Sequence, residues 1–173
     1  MDVISHGVWG GLAFGQKNKK IFWFAFLFGM FPDLIAFALP FVRALFGGVL
    51  QRYPSSEMVP SYILGMYSVT HSLVIAIVII AIAFAIWGKR VLPMLAWPLH
   101  VVFDIPTHDL NFFPTPYLWP FNTPLFNGIP WSTPWVFFGY WSILIILLIV
   151  MYFNKKNGRR RITEEDSGSQ RST

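Results

Sequence analysis

Long apolar stretches separated by short polar segments dominate the chain. A helix needs about 20 apolar residues to cross the hydrocarbon core of a bilayer, because each residue advances it by about 1.5 Å. Four stretches reach or approach that length: residues 21–46, 62–87, 91–105 and 134–153. The pattern predicts an all-α membrane bundle with four long transmembrane helices.

A fifth apolar segment, residues 3–15, is too short for a full crossing. Gly7, Gly11 and Gly15 recur in it every four residues, which gives a helix face that a neighbouring backbone can approach closely. The acidic Asp2 at its start argues against a secretory signal peptide, which begins with basic residues. We interpret the segment as a short N-terminal helix inserted into the bundle. The alternative is an amphipathic segment that lies flat on the membrane surface.

The composition supports an integral membrane protein. Hydrophobic residues make up 55% of the 173 residues and charged residues only 12%, whereas about a quarter of the residues of a soluble domain are charged. A water-soluble monomer is therefore excluded. The absence of cysteine excludes a disulfide scaffold, a thiolate zinc site and a cysteine nucleophile.

Lysine and arginine cluster at residues 17–20, 89–90 and 155–161, which fall on one side of the membrane if the four spans alternate. The opposite side has only Arg43 and Arg52. The positive-inside rule then puts the clusters and the C-terminus in the cytoplasm, in a bacterial-type cytoplasmic membrane. We expect residues 1–153 to form one membrane-embedded domain and residues 154–173 a disordered basic tail. Topology explains the basic residues, so the expected partners are membrane lipids and not nucleic acid.

Residues 110–133 form an uncharged stretch rich in proline and aromatic residues. Proline at this density prevents a regular helix, and aromatic rings favour the headgroup depth of a bilayer. We interpret this stretch as a loop anchored in the outer interface. It could also serve as a lid, or as a guide for lipid headgroups, over a site that opens outward.

All four histidines of the chain, and two of its aspartates, lie in or beside apolar segments. Ionisable groups in a membrane helix cost several kcal/mol unless they are paired, hydrated or bound to an ion. The helical rise places all of them between the middle of the bilayer and its outer face. These residues are His6, Asp33, His71, His100, Asp104 and His108.

Imidazole nitrogens and carboxylate oxygens are ligands of zinc. His100 and Asp104 are four residues apart and share a helix face, while Pro106 predicts that the helix ends near Ile105, so His108 would arrive from a turn. We predict a divalent metal ion, zinc, held by the six residues, some of which do not touch it because four ligands saturate a tetrahedral ion. Asp33 or Asp104 would act as general base or orient a ligand.

The same residues form an ordered set of short motifs: His6, Pro32-Asp33, Thr70-His71-Ser72, and His100-x-x-x-Asp104 followed by Thr107. This set resembles the YdjM-like family of membrane-bound metal-dependent hydrolases and, more distantly, zinc-dependent phospholipase C. The resemblance implies hydrolysis at a metal site. The chain departs from the family pattern at Ile35 and Met66, where the family often has a second acid and a further histidine, so two ligands are absent.

These observations predict a membrane-embedded, metal-dependent hydrolase that acts on a lipid-type ester or phosphoester from the extracytoplasmic side. A site at that depth under an aromatic rim meets acyl chains and headgroups more readily than soluble metabolites. One alternative is a metal-ion or proton transporter or channel that uses the same residues, although no internal repeat supports it. Another is a membrane assembly protein in which they only hold helices together.

Overall fold

The structure, a computed structural model, describes residues 1–47, 59–122 and 124–170, with side chains as far as residue 155. The described residues contain helices and no strand, which confirms the all-α fold class. A 3-10 helix, Gly88–Leu95, precedes α6. The α-helices are α1 (Val3–Phe14), α2 (Lys19–Ala36), α3 (Ala38–Leu45), α4 (Ser61–Thr70), α5 (Leu73–Trp87), α6 (Ala96–Thr107) and α7 (Pro134–Gln170).

The chain divides into two compact units. Met1–Phe137 contains α1 to α6 and the proline-rich loop, and Phe138–Thr173 contains nearly all of α7. The secondary structure of α7 continues to Gln170, through residues that the sequence predicts as a disordered tail. Lysine, arginine and glutamate are frequent in that stretch, and their high helix propensity favours continuation of the helix.

Two helical stretches are long and apolar enough to cross a membrane. They are Leu73–Thr107, in which the 3-10 segment joins α5 to α6, and Pro134–Lys155 within α7. The pair α2 and α3 passes the same test together, but their axes differ by 85°. The described part of the chain therefore has two helices that can span a membrane, or three with the bent pair, and the predicted four long spans are not confirmed.

Polar residues and proline interrupt the apolar stretches that the sequence predicts as continuous spans. The predicted span 62–87 divides because α4 ends at Thr70 and Ser72 caps α5, its Oγ accepting the N–H of Ile75 at 3.2 Å. The predicted span 21–46 bends at Phe37. Pro40 fits there because it lies in the first turn of α3, where a helix leaves backbone N–H groups without partners.

The helices α5 and α6 lie side by side. Gly88 has a φ of +60°, a conformation that glycine adopts readily, at the point where α5 ends. Ala76 near the start of α5 consequently packs against Trp97 and Val101 of α6. This arrangement brings the α4–α5 junction next to the middle of α6.

The N-terminal helix α1 packs closely on α2, as its glycines predict. A Cβ atom on Gly10 would lie 2.6 Å from the carbonyl oxygen of Ala25 and 2.8 Å from the Cβ of Ala96. One face of α1 is buried, and it includes Ser5, His6 and Gly7. The α1 helix is thus part of the packed bundle.

The proline-rich loop has no regular helix in its described residues, as predicted, and is fixed by hydrogen bonds to the ends of the helices. The N–H of Gly128 donates to the carbonyl of His108 at 2.8 Å, and the N–H of Leu73 donates to that of Tyr117 at 2.8 Å. The Ser72 hydroxyl donates to the carbonyl of Trp119 in the loop at 2.5 Å. The loop therefore lies across the ends of α5 and α6.

The close contact between α1 and α2 predicts how glycine substitutions act. We expect Gly10→Ala to lower the free energy of unfolding by about 1–3 kcal/mol, because its Cβ has no space. The control is Gly65→Ala, whose Cβ meets no atom of the described residues within 4 Å and which should leave stability unchanged or raise it by up to about 1 kcal/mol. Thermal unfolding of the detergent-solubilised protein measures both. Equal melting temperatures for the two variants would contradict the tight packing.

Candidate metal centre

Four buried side chains from three elements bring their ligand atoms together. Asp33 lies near the end of α2, His71 directly follows α4, and His100 and Asp104 lie one turn apart on α6. One ligand atom from each residue lies within 4.8 Å of those of the other three. These residues, which we call the four-residue group, could hold a metal ion, as the sequence predicts for each of them.

Backbone carbonyls fix the tautomers of the two histidines in this group. The Nδ1 of His100 lies 2.7 Å from the carbonyl oxygen of Gly29, and the Nδ1 of His71 lies 3.2 Å from that of Tyr67. A carbonyl can only accept, so each Nδ1 carries the hydrogen and donates it. The Nε2 atoms of both rings are therefore left with lone pairs that face the centre of the group.

The two Nε2 atoms lie only 3.2 Å apart. Since neither carries a hydrogen in the neutral tautomer, their lone pairs repel one another unless a cation lies between them. Carboxylate oxygens complete the set: Asp104 Oδ2 lies 3.1 Å from His100 Nε2, and Asp33 Oδ1 lies 3.4 Å from His71 Nε2. Ligands 2.0–2.1 Å from a tetrahedral zinc ion are separated by about 3.4 Å. Two nitrogen and two oxygen donors at these separations fit a divalent ion such as zinc.

His6 and His108 also lie in this cluster, but beside the other oxygen of the Asp104 carboxylate. The Nε2 of His6 is 2.9 Å from Asp104 Oδ1, and the Nδ1 of His108 is 3.5 Å from the same atom. The ammonium group of Met1 contacts it at 2.5 Å. The structure therefore brings all six predicted residues together and places two of them outside the four-residue group.

The end of α6 determines where His108 lies. The helix continues through Pro106 to Thr107, two residues further than the sequence predicts, and His108 then adopts an extended conformation. Its Nδ1–H donates to the carbonyl oxygen of Asp104 at 3.1 Å. Burial lowers the pKa of His108 below its usual value, since removal from water disfavours the charged imidazolium.

The backbone carbonyls that orient His71 and His100 are not predicted from the sequence. The carbonyl groups of Gly29 and Tyr67 carry no signature in a sequence, because every residue has one. The Tyr67 ring also stacks on His71, with ring centroids 3.7 Å apart, and its hydroxyl donates to the carbonyl of Phe113 at 3.1 Å. The spacing of four residues between Tyr67 and His71 was an available signal, because it places both on one helix face.

No family model, no curated protein and no solved structure matches the chain. The resemblance to the YdjM-like hydrolases stays a prediction that depends on the motif residues. What the site can do chemically follows from its own geometry.

The metal centre predicts which substitutions release the ion. We expect Asp104→Asn to lower metal content to below about a tenth of the wild-type value, because it removes a charged ligand from a buried site. His71→Ala should have the same effect. Elemental analysis of the detergent-purified, dialysed protein measures bound zinc.

The matched control is Asp109→Asn. Within the described part of the chain, its carboxylate accepts local backbone hydrogen bonds, from the N–H groups of Asn111 and Phe112 at 3.1 and 2.8 Å. This variant should keep the wild-type metal content. Retention of zinc by Asp104→Asn, or its loss from Asp109→Asn, would contradict the assignment.

Proposed function

We propose that the chain is a membrane-embedded, zinc-dependent hydrolase that acts on a lipid-type ester or phosphoester from the extracytoplasmic side of a bacterial-type cytoplasmic membrane. The observation that carries this proposal is the approach of two imidazole Nε2 atoms to 3.2 Å beside two buried carboxylates. Asp104 Oδ1 is paired with the Met1 ammonium and His6, but the Nε2 atoms of the neutral His71 and His100 rings and the adjoining Asp104 Oδ2 and Asp33 Oδ1 are all hydrogen-bond acceptors, a set that a bound cation would stabilise.

A divalent ion held by this set supplies Lewis-acid polarisation of an ester or phosphoryl oxygen and activates a water molecule. The protein's own residues divide the remaining work. The Asp33 side chain is 12% exposed, whereas that of Asp104 is only 1% exposed. We assign Asp33 as the general base, since it is the carboxylate that incoming water can reach, and Asp104 as a permanent ligand.

The surroundings of the site favour a lipid substrate. The proline-rich loop that crosses the helix ends exposes large apolar side chains, among them Phe121 at 66% and Phe126 at 51%. Aromatic residues at the end of a membrane bundle prefer the headgroup region. A lipid in this region would present its ester or phosphoester at the level of the loop, next to the ends of α5 and α6.

The proposed orientation can be tested with single cysteines, because the chain has no native cysteine. We expect Asn122→Cys, at an exposed position of the loop, to react in intact cells with a membrane-impermeant maleimide. Ser167→Cys in the tail should react only after the cells are permeabilised. The reverse pattern of labelling would contradict a site that faces outward.

Hydrolysis can be tested on purified protein with a panel of lipid esters and lipid phosphoesters in mixed micelles. We expect one member of the panel to be cleaved, and chelation to lower the rate by at least about 100-fold until zinc is restored. Asp33→Asn should lower the rate by about 100- to 10,000-fold, because it removes the general base. Asp109→Asn should behave as wild type.

The rival functions give different results in the same preparation. Selective uptake of zinc or protons into vesicles that contain the protein, with no cleavage of any member of the panel, would contradict hydrolysis and favour a transporter. Normal complementation of a deletion by His100→Ala would favour an assembly role.

A further inference from the structure

The His6 side chain differs from the two histidines of the four-residue group in the hydrogen bonding of its Nδ1 atom. The Nδ1–H groups of His100 and His71 donate hydrogen bonds to backbone carbonyl groups. The Nδ1 of His6, in contrast, is buried and has no hydrogen-bond partner among the residues that the structure describes. The neutral His6 ring is therefore expected to carry its hydrogen on Nε2. This atom lies 2.9 Å from an acceptor, Asp104 Oδ1. That distance is typical of an N–H···O hydrogen bond.

The two oxygens of Asp104 face different partners. Oδ2 lies 3.1 Å from His100 Nε2 and 3.5 Å from His71 Nε2, inside the four-residue group. Oδ1 faces His6, His108 and the ammonium group of Met1. Because a carboxylate is planar and rigid, a hydrogen bond that fixes the position of Oδ1 also fixes the direction of Oδ2.

Gly29 ties the position of His6 to that of His100. The Gly29 carbonyl accepts the Nδ1–H of His100 at 2.7 Å. A Cβ atom on Gly29 would overlap the carbonyl oxygen of His6, so only glycine lets α1 approach α2 at this point. The His6 and His100 rings stack with centroids 3.6 Å apart and an interplanar angle of 23°. Helix α1 therefore holds His6 in a defined position next to the four-residue group.

We propose that His6 is a positioning residue of the metal centre and not one of its ligands. It donates its Nε2–H to Asp104 Oδ1 and thereby directs Oδ2 at the ion. This inference rests on the proposed metal-dependent function, and it gives α1 a specific role, which is to carry the hydrogen bond that orients a ligand. The sequence leaves open which of the six residues touch the ion, and this proposal makes His6 one of those that do not.

Two substitutions of His6 separate a hydrogen-bond donor from a metal ligand. Glutamine places an amide N–H near the position of the imidazole Nε2 and can donate to Asp104, but it has no imidazole lone pair to offer an ion. Alanine removes both functions. We expect His6→Gln to keep zinc affinity within about threefold of wild type and His6→Ala to lower it by about 10- to 100-fold, as loss of an orienting partner does.

The experiment is a competitive zinc titration of the full-length detergent-purified proteins, with visible absorption of the Co²⁺-substituted forms as a second readout. The Co²⁺ spectrum reports the atoms that touch the ion, so the spectrum of His6→Gln should match that of wild type. Gel filtration and thermal unfolding show whether each variant is folded. Because His6→Gln preserves the hydrogen bond, it tests the proposal even if His6→Ala fails to fold.

Two results would overturn the proposal while leaving the metal centre intact. A changed Co²⁺ spectrum in His6→Gln, with affinity as low as that of His6→Ala, would show that His6 binds the ion. Wild-type affinity in a folded His6→Ala would show that His6 does not position Asp104. If wild type binds neither zinc nor cobalt, the proposed metal-dependent function fails together with this inference. That result is distinguishable, because wild type itself then shows no metal binding.

Discussion

The main physical constraint on this protein is the close approach of two imidazole nitrogens. The Nε2 atoms of His71 and His100 lie 3.2 Å apart. The Nδ1–H groups donate to the carbonyls of Gly29 and Tyr67, so the facing Nε2 atoms of the neutral rings can only accept. Two buried carboxylates adjoin them. Acceptors gathered in a buried site are stable only around a positive charge. The proposal of a zinc-dependent hydrolase follows from that need and from the apolar surroundings.

Interruptions of the helices place the ligands. The break between α4 and α5 puts His71 at a helix end, and the side-by-side packing of α5 and α6 brings that end to the middle of α6. Close packing of α1 on α2 adds His6 from a fourth element. A break between helices therefore places one of the four candidate ligand residues, His71, whereas α6, within the apolar stretch Leu73–Thr107, carries two others.

The features that were predicted correctly from the sequence are those that composition and hydrophobic periodicity determine. The all-α class, the close packing of α1 and the absence of helix in the proline-rich loop all followed from local pattern. The convergence of four ligand residues could be predicted because buried ionisable groups are too costly to be scattered at random. The helix breaks were underestimated, since Ser72 and Pro40 act through hydrogen bonds and proline geometry that hydropathy does not measure. Which oxygen of Asp104 faces which histidine depends on tertiary packing, which no local pattern encodes.

The most direct test of the metal centre is anomalous diffraction at the zinc absorption edge from crystals of the protein grown with zinc. We expect one strong anomalous peak beside Asp33, at about 2.0–2.2 Å from the ligand atoms of His71, His100 and Asp104. Well-ordered side chains at these positions without such a peak, or a peak bound elsewhere on the protein, would contradict this expectation.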